Sequence, residues 1–128
     1  MTVLNAQKKV DILLIGGGAG GTSAGIQAAR MGARVQIIES TSWLGGMLTS
    51  AGVSAIDGNH NLPSGIWGEF RQRLRDHYGG AEALATGWVS NTLFEPSIGN
   101  KILKDMANIP NLDVAYNAVY INVLKDGE

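Results

Sequence analysis

The stretch that most restricts what this chain can become is Gly16-Gly17-Gly18-Ala19-Gly20-Gly21. It satisfies G-x-G-x-x-G with glycines at Gly16, Gly18 and Gly21, and it separates two segments of different period. Before it, residues 10–15 (VDILLI) form a short apolar run that stops at Gly16, as a strand buried on both faces does. After it, residues 20–31 read as a helix. Gly21, Gly25, Ala28 and Ala29 share one nearly bare face that can pack close to a sheet, and Gly32 is placed as the C-terminal stop. Residues 35–38 (VQII) are a second buried strand, closed by Glu39. Strand, helix and strand in such a short span make one βαβ unit, and a right-handed crossover makes its strands parallel neighbours. The expected fold class is α/β.

Each glycine of the motif has a physical task. Gly16 allows the tight turn off the strand, Gly18 lets backbone approach a pyrophosphate, and Gly21 lets helix and strand pack closely. Ala19 and Gly20 open the helix, whose first N–H groups and positive dipole end face the phosphates. Glu39 ends the next strand, where a carboxylate accepts hydrogen bonds from ribose hydroxyls, with Ser40 beside it. An ordinary tight turn followed by a solvent-facing Glu would not need three glycines in register. The expected site is therefore a dinucleotide site, and a carboxylate at Glu39 disfavours a 2′-phosphate and so NADP. Between NAD and FAD, residues 43–49 (WLGGMLT) favour FAD. The pair Gly45-Gly46 is expected to lay a second stretch of backbone against the cofactor, together with Met47 and Thr49.

The remaining chain continues the α/β pattern. Residues 40–65 have no periodicity and read as a long functional loop. Ile66, Trp67, Phe70, Leu74, His77 and Tyr78 recur at helical spacing up to Gly79-Gly80, and a short helical piece is expected over 81–85. Ser97 is expected to cap a helix whose buried stripe is Ile98, Ile102, Leu103 and Met106. Residues 112–115 predict a third strand. Val119, Ile121 and Val123 alternate as a fourth, the start of a β-meander running into Lys125-Asp126-Gly127.

Composition removes other classes of function. The net charge of −1 points to no nucleic-acid partner, and Arg71, Arg73 and Arg75 are expected to form a solvated helix face. With no cysteine there is no disulfide framework, thiolate metal site or dithiol pair. The first apolar run is too short for a membrane span or a signal-peptide core, so a cytoplasmic location is expected. His77 reads as structural, His60 as part of a surface turn, and Trp67 and Phe70 as core. No metal-ligand spacing and no Ser-His-Asp or Cys-His arrangement is readable. No catalytic residue can be named; chemistry is expected to rest on the cofactor, acting on a small molecule.

The run of strand, GGGAGG, Glu39 and LGGMLT resembles the FAD-dependent oxidoreductases of the glutathione-reductase-like superfamily. Within it, the chain is most similar to the bacterial group often labelled xanthan lyases. Residues 65–70 (GIWGEF), Phe94-Glu95-Pro96 and residues 117–123 (NAVYINV) extend the resemblance more loosely, and Ser97 departs from it. The resemblance implies a Rossmann-like FAD/NAD(P)-binding domain over residues 1–128. It also implies that residues 45–49 line the pyrophosphate or ribityl region and that Val119 offers backbone groups to the adenine. The lyase label finds no support, since no acid/base pair for elimination is identifiable. The strand ending A-T-G that follows the β-meander in such enzymes does not occur after residue 123, nor does their substrate domain, so the chain is expected to be a fragment. Further chain segments would complete the domain, and the chain alone would be inactive. The alternatives are a non-catalytic nucleotide-binding fragment or subunit, for FAD or NAD, and a simple NAD-binding domain, which would give Gly45-Gly46 no role.

Overall fold

A computed structural model describes residues 8–58 and 60–127. Among them the sheet has three strands, β1 (Ile12–Ile15), β2 (Val35–Ile38) and β3 (Leu112–Ala115), all parallel in the order β1-β2-β3. Ile12 stands opposite Val35 and Ile15 opposite Ile38; Val35 in turn stands opposite Leu112 and Ile38 opposite Ala115. Helix α1 (Ala19–Arg30) makes the crossover between β1 and β2, and α2 (Gly65–Tyr78) and α3 (Pro96–Ala107) lie in the long excursion from β2 to β3. The architecture is an α/β, Rossmann-like one.

The small face of α1 does what its composition allows. A Cβ on Gly25 would come within 2.8 Å of Ile37 Cδ1, so only glycine lets the helix ride this close to β2. The helix ends at Gly32 in a left-handed turn (φ 96°), with the Ala33 N–H returning to the Ala28 carbonyl. Asn111 then ties β3 to this corner, its side-chain amide donating to the carbonyls of Ala29 and Ala33. Ile26, Val35, Ile37, Leu44, Leu74 and Met106 are fully buried and join the sheet to the helices, while Phe70 meets Phe94 edge to face at 5.4 Å. Between α1 and α2, Glu69 accepts from both Arg30 and Arg73.

Several expectations are revised. Residues 81–85 form turns and not a helix, because so short a piece closes only two bonds, Leu84 N–H to Ala81 O and Ala85 N–H to Glu82 O, too few to offset helix nucleation. Helix α3 starts one residue before Ser97. Pro96 takes the first helical position, where a missing N–H costs nothing, and Glu95 precedes it as the cap residue. Residues 118–127 form no strand: Val119, Ile121 and Val123 alternate in sequence, but no strand among the described residues lies alongside to accept their hydrogen bonds. The three arginines of α2 are not a uniform solvated face, since Arg71 is buried (7% exposed).

Strand β1, expected from its apolar run to be buried on both faces, is instead an edge of the sheet among the described residues, with no strand or helix over its outer side: Ile12, Leu13 and Ile15 are 37%, 48% and 44% exposed. An apolar edge with free N–H and C=O groups templates association. The isolated chain is therefore expected to self-associate at micromolar concentration, and Leu13→Lys to move its sedimentation toward the monomer. A monomeric profile for the unaltered chain would contradict this.

Candidate dinucleotide-binding site

The glycine-rich loop leaves β1 at Gly16, whose φ of 101° is open to glycine and strained for other residues. Its N–H donates to the Ile38 carbonyl, so the turn begins still fastened to β2. Gly18 precedes the first turn of α1 as its cap residue, with an ordinary φ of −63° and no side-chain cap bond. By helix geometry the N–H groups that follow, on Ala19, Gly20 and Gly21, have no acceptor within the helix. The first turn carries no acidic side chain either, so no carboxylate of the helix competes for its positive end.

The five motif glycines differ in what surrounds them. A Cβ on Gly21 would lie 2.0 Å from the Gly16 carbonyl oxygen, and one on Gly17 would lie 2.8 Å from Leu44 Cδ2. At Gly18 and Gly20 an added Cβ would meet nothing within 4 Å. Packing thus explains Gly17 and Gly21, and backbone conformation explains Gly16. Gly18 has room and an ordinary φ, and the protein itself gives no reason for glycine there. A cradle that a Cβ would intrude upon is what a bound pyrophosphate requires.

Glu39 is buried at the end of β2. One carboxylate oxygen accepts the Gly17 N–H at 2.7 Å, and the other accepts the Thr41 N–H at 2.7 Å and the Ser40 hydroxyl at 3.3 Å. Burial works against ionisation, but the bonds from Thr41, Gly17 and Ser40 together outweigh it and hold the carboxyl below its ordinary value. Glu39 therefore locks the glycine loop to β2, with one acceptor site remaining on Oε2 for a ribose hydroxyl. A depressed folded-state pKa adds stability above the unfolded value, and that stability is lost as pH falls through the folded one. The melting temperature is thus expected to fall on acidification below the ordinary carboxylate range, and less steeply in Glu39→Gln. Parallel curves for the two proteins would count against this.

The second glycine pair has a task within the protein itself. The Gly45 N–H donates to the Gly17 carbonyl, and Gly18 and Gly45 form a parallel bridge. A Cβ on Gly46 would lie 3.0 Å from Gly18 Cα, and one on Gly45 would strike Leu103 and Thr49. Gly45-Gly46 are glycines because this loop packs on the first loop. Thr49 is buried (1% exposed) with its hydroxyl donating to the Leu44 carbonyl, whereas Met47 is 67% exposed at the surface. Sequence reasoning missed Asn100 of α3, whose Oδ1 accepts the Leu44 N–H at 3.0 Å and anchors the second loop. It also missed Thr22, fully buried, whose hydroxyl donates to the Gly17 carbonyl. An amide beside Gly99 in an apolar helix was the available signal for Asn100. Asn100→Ala leaves the Leu44 N–H unpaired and is expected to cost about 1–3 kcal/mol in urea unfolding.

Near Glu39 the chain after β3 closes one side of the site. The Ala118 N–H donates to the Glu39 carbonyl, and the Asn117 N–H to the Thr41 carbonyl. Tyr116 is half-buried under the Lys104 ammonium, 4.6 Å from the ring centre; burial, and then the Glu39 charge, hold its phenol above the ordinary value. Val119 is 74% exposed next to this corner. The structure thus brings Gly16, Gly18, Ala19, Gly20, Gly21, Glu39, Ser40, Gly45 and Gly46 around one loop. Val119 and Met47 stand at its margin, and Thr49 lies beneath it. His60 is exposed, its ring 3.5 Å from the Asn91 amide, and exposed His77 meets Tyr78 edge to face. Among the described residues no cluster of His, Cys, Asp or Glu could hold a metal ion, and no helix is long and apolar enough to cross a membrane.

Residues 11–128 match the family described as FAD dependent oxidoreductase. The chain belongs to that family. An FAD dependent oxidoreductase carries a flavin, and the glycine loop with its open position at Gly18 fits the pyrophosphate of such a cofactor. No curated protein matches the chain. Among solved structures, it is similar to THI4 from Thermovibrio ammonificans (19% identity, TM-score 0.48, covering 84% of this chain and 38% of that one). It is also similar to 3-ketosteroid-delta4-(5alpha)-dehydrogenase from Rhodococcus jostii RHA1 (17%, TM-score 0.44, 91% and 39%). A third likeness is to histamine dehydrogenase from Rhizobium sp. 4-9 (16%, TM-score 0.43, 89% and 12%). This FAD dependent oxidoreductase chain thus spans well under half the length of the solved proteins it resembles.

Proposed function

We propose that this chain is the FAD-binding portion of a flavin-dependent oxidoreductase acting on a small molecule. The observation that carries the reading is Gly18, a glycine with ordinary backbone and open space, at the head of a helix whose first turn has no acidic side chain. FAD supplies hydride or electron transfer when bound. The chain's own residues would bind and orient it. Gly18 gives the pyrophosphate room, the first-turn N–H groups of α1 donate to it, and Glu39 accepts from the adenosine ribose. The backbone at Ala118 and Val119 would border the adenine. Because Gly45-Gly46 are accounted for by loop packing, the preference for FAD over NAD rests on the family match and not on that pair.

A second reading is a nucleotide-binding portion that is inactive until the rest of the protein, or a partner chain, completes it. The uncovered apolar residues of β1 favour it, and the two readings share the same site. Competition tests that site. ADP, which has the adenosine and pyrophosphate but no flavin, is expected to displace FAD, and FMN is not. Displacement by FMN alone would place the flavin end, and not the nucleotide end, on this chain.

A further inference from the structure

Helix α2 carries two arginines one turn apart, Arg71 and Arg75, and among the described residues neither meets a carboxylate. Arg71 is 93% buried by its 7% exposure. Its guanidinium lies over the Trp67 ring, 5.0 Å from the centre, and one Nη donates to the His60 carbonyl. Among the described residues the Nε atoms of both arginines are buried and find no hydrogen-bond partner. Burial, and then the neighbouring Arg75 charge, push Arg71 below its ordinary pKa, which is the mark of two cations held together without a counter-charge. The carboxylates on the helix are already engaged. Glu69, at the rim, is held by Arg30 and Arg73, and Asp76 accepts from the Gln72 amide.

Both arginines line a groove of about 440 Å³ between α2 and the Leu62-Pro63 segment. This volume lies in the range of small-molecule pockets and exceeds what a bare ion needs. A guanidinium fork matches carboxylate and phosphate oxygens two at a time, and two forks one turn apart can share one such group.

We infer that the Arg71–Arg75 groove is a second ligand site, separate from the glycine loop, that binds the carboxylate or phosphate end of a small organic acid. It does not depend on the identity of the dinucleotide. The test follows the Nε–Hε signals of Arg71 and Arg75 by nitrogen-15 NMR on the full chain. Inorganic phosphate and succinate are titrated separately, against sodium chloride at matched ionic strength. Saturating shifts at both arginines, absent at Arg34 and Arg73, are expected with at least one of the two anions. Phosphate alone would identify a phosphate ester as the ligand class, succinate alone a carboxylic acid. Arg75→Gln should weaken binding at least tenfold while circular dichroism stays unchanged, and Arg75→Lys, which keeps the charge but loses the fork, should be intermediate. Gly18→Val should leave these shifts intact. Linear shifts shared with Arg34 and Arg73, unchanged binding in Arg75→Gln, or loss of the shifts in Gly18→Val would each overturn the assignment.

Discussion

Gly21→Ala is expected to destabilise the chain by about 3 kcal/mol or more, at or beyond the upper end of the usual cost of overpacking a tight site. The added methyl would lie 2.0 Å from the Gly16 carbonyl oxygen, far inside contact distance. Neither partner can give way cheaply. Gly21 sits in the first turns of α1, and the Gly16 backbone is held in a left-handed turn with its N–H bonded to Ile38. Relief would require α1 to lift off the sheet, opening the close contact between Gly25 and Ile37 as well. Since small domains have only about 5–15 kcal/mol of stability in all, the urea midpoint should drop sharply. Gly20→Ala is the internal control. Its methyl would meet nothing within 4 Å, and alanine is preferred over glycine in helices by up to about 1 kcal/mol, so the apo chain should gain stability. Equal effects from the two substitutions would mean that the helix does not lie where the structure has it.

Gly18→Val should do the reverse: it should fold and fail to bind. The backbone at Gly18 (φ −63°, ψ −178°) is open to any residue, and a Cβ there finds open space. Valine at this cap position forfeits only a small preference for glycine, on the order of 1 kcal/mol. The same methyl groups would occupy the space assigned to the pyrophosphate and displace it from the α1 N–H groups. FAD affinity is expected to fall about a hundredfold, roughly 2.7 kcal/mol. Gly18→Ala, which adds less volume, should fall between the two. Undiminished FAD binding in both variants would remove the observation on which the proposed function rests.

The parts of this fold that the sequence makes legible are those set by local rules. The strand at Val35–Ile38 appears to the residue where its apolar run predicts it, and α1 begins within one residue of its expected start. Both are fixed by hydrophobic period and by glycines with one physical use each. What could not be read depends on partners distant in sequence. The alternation at Val119, Ile121 and Val123 is a strand pattern, but alternation does not supply the neighbouring strand that makes it one. Arg71 belongs to a charged run, and only the position of Trp67 and of the His60 carbonyl turns it inward. The Gly45-Gly46 pair was legible as a close backbone approach. Which backbone it approaches, the first glycine loop in this case, follows from Asn100 and Leu103 on a helix more than fifty residues later.

FAD is proposed to lie along the loop at residues 16–21 with Glu39 beside it. Absorbance spectra of the purified chain, titrated with FAD and in parallel with NAD and then desalted, test it most directly. Flavin bands are expected to persist through desalting, to be displaced by ADP and to be lost in Gly18→Val. Retention of NAD with no retention of FAD, or flavin bands equally strong in Gly18→Val, would contradict it.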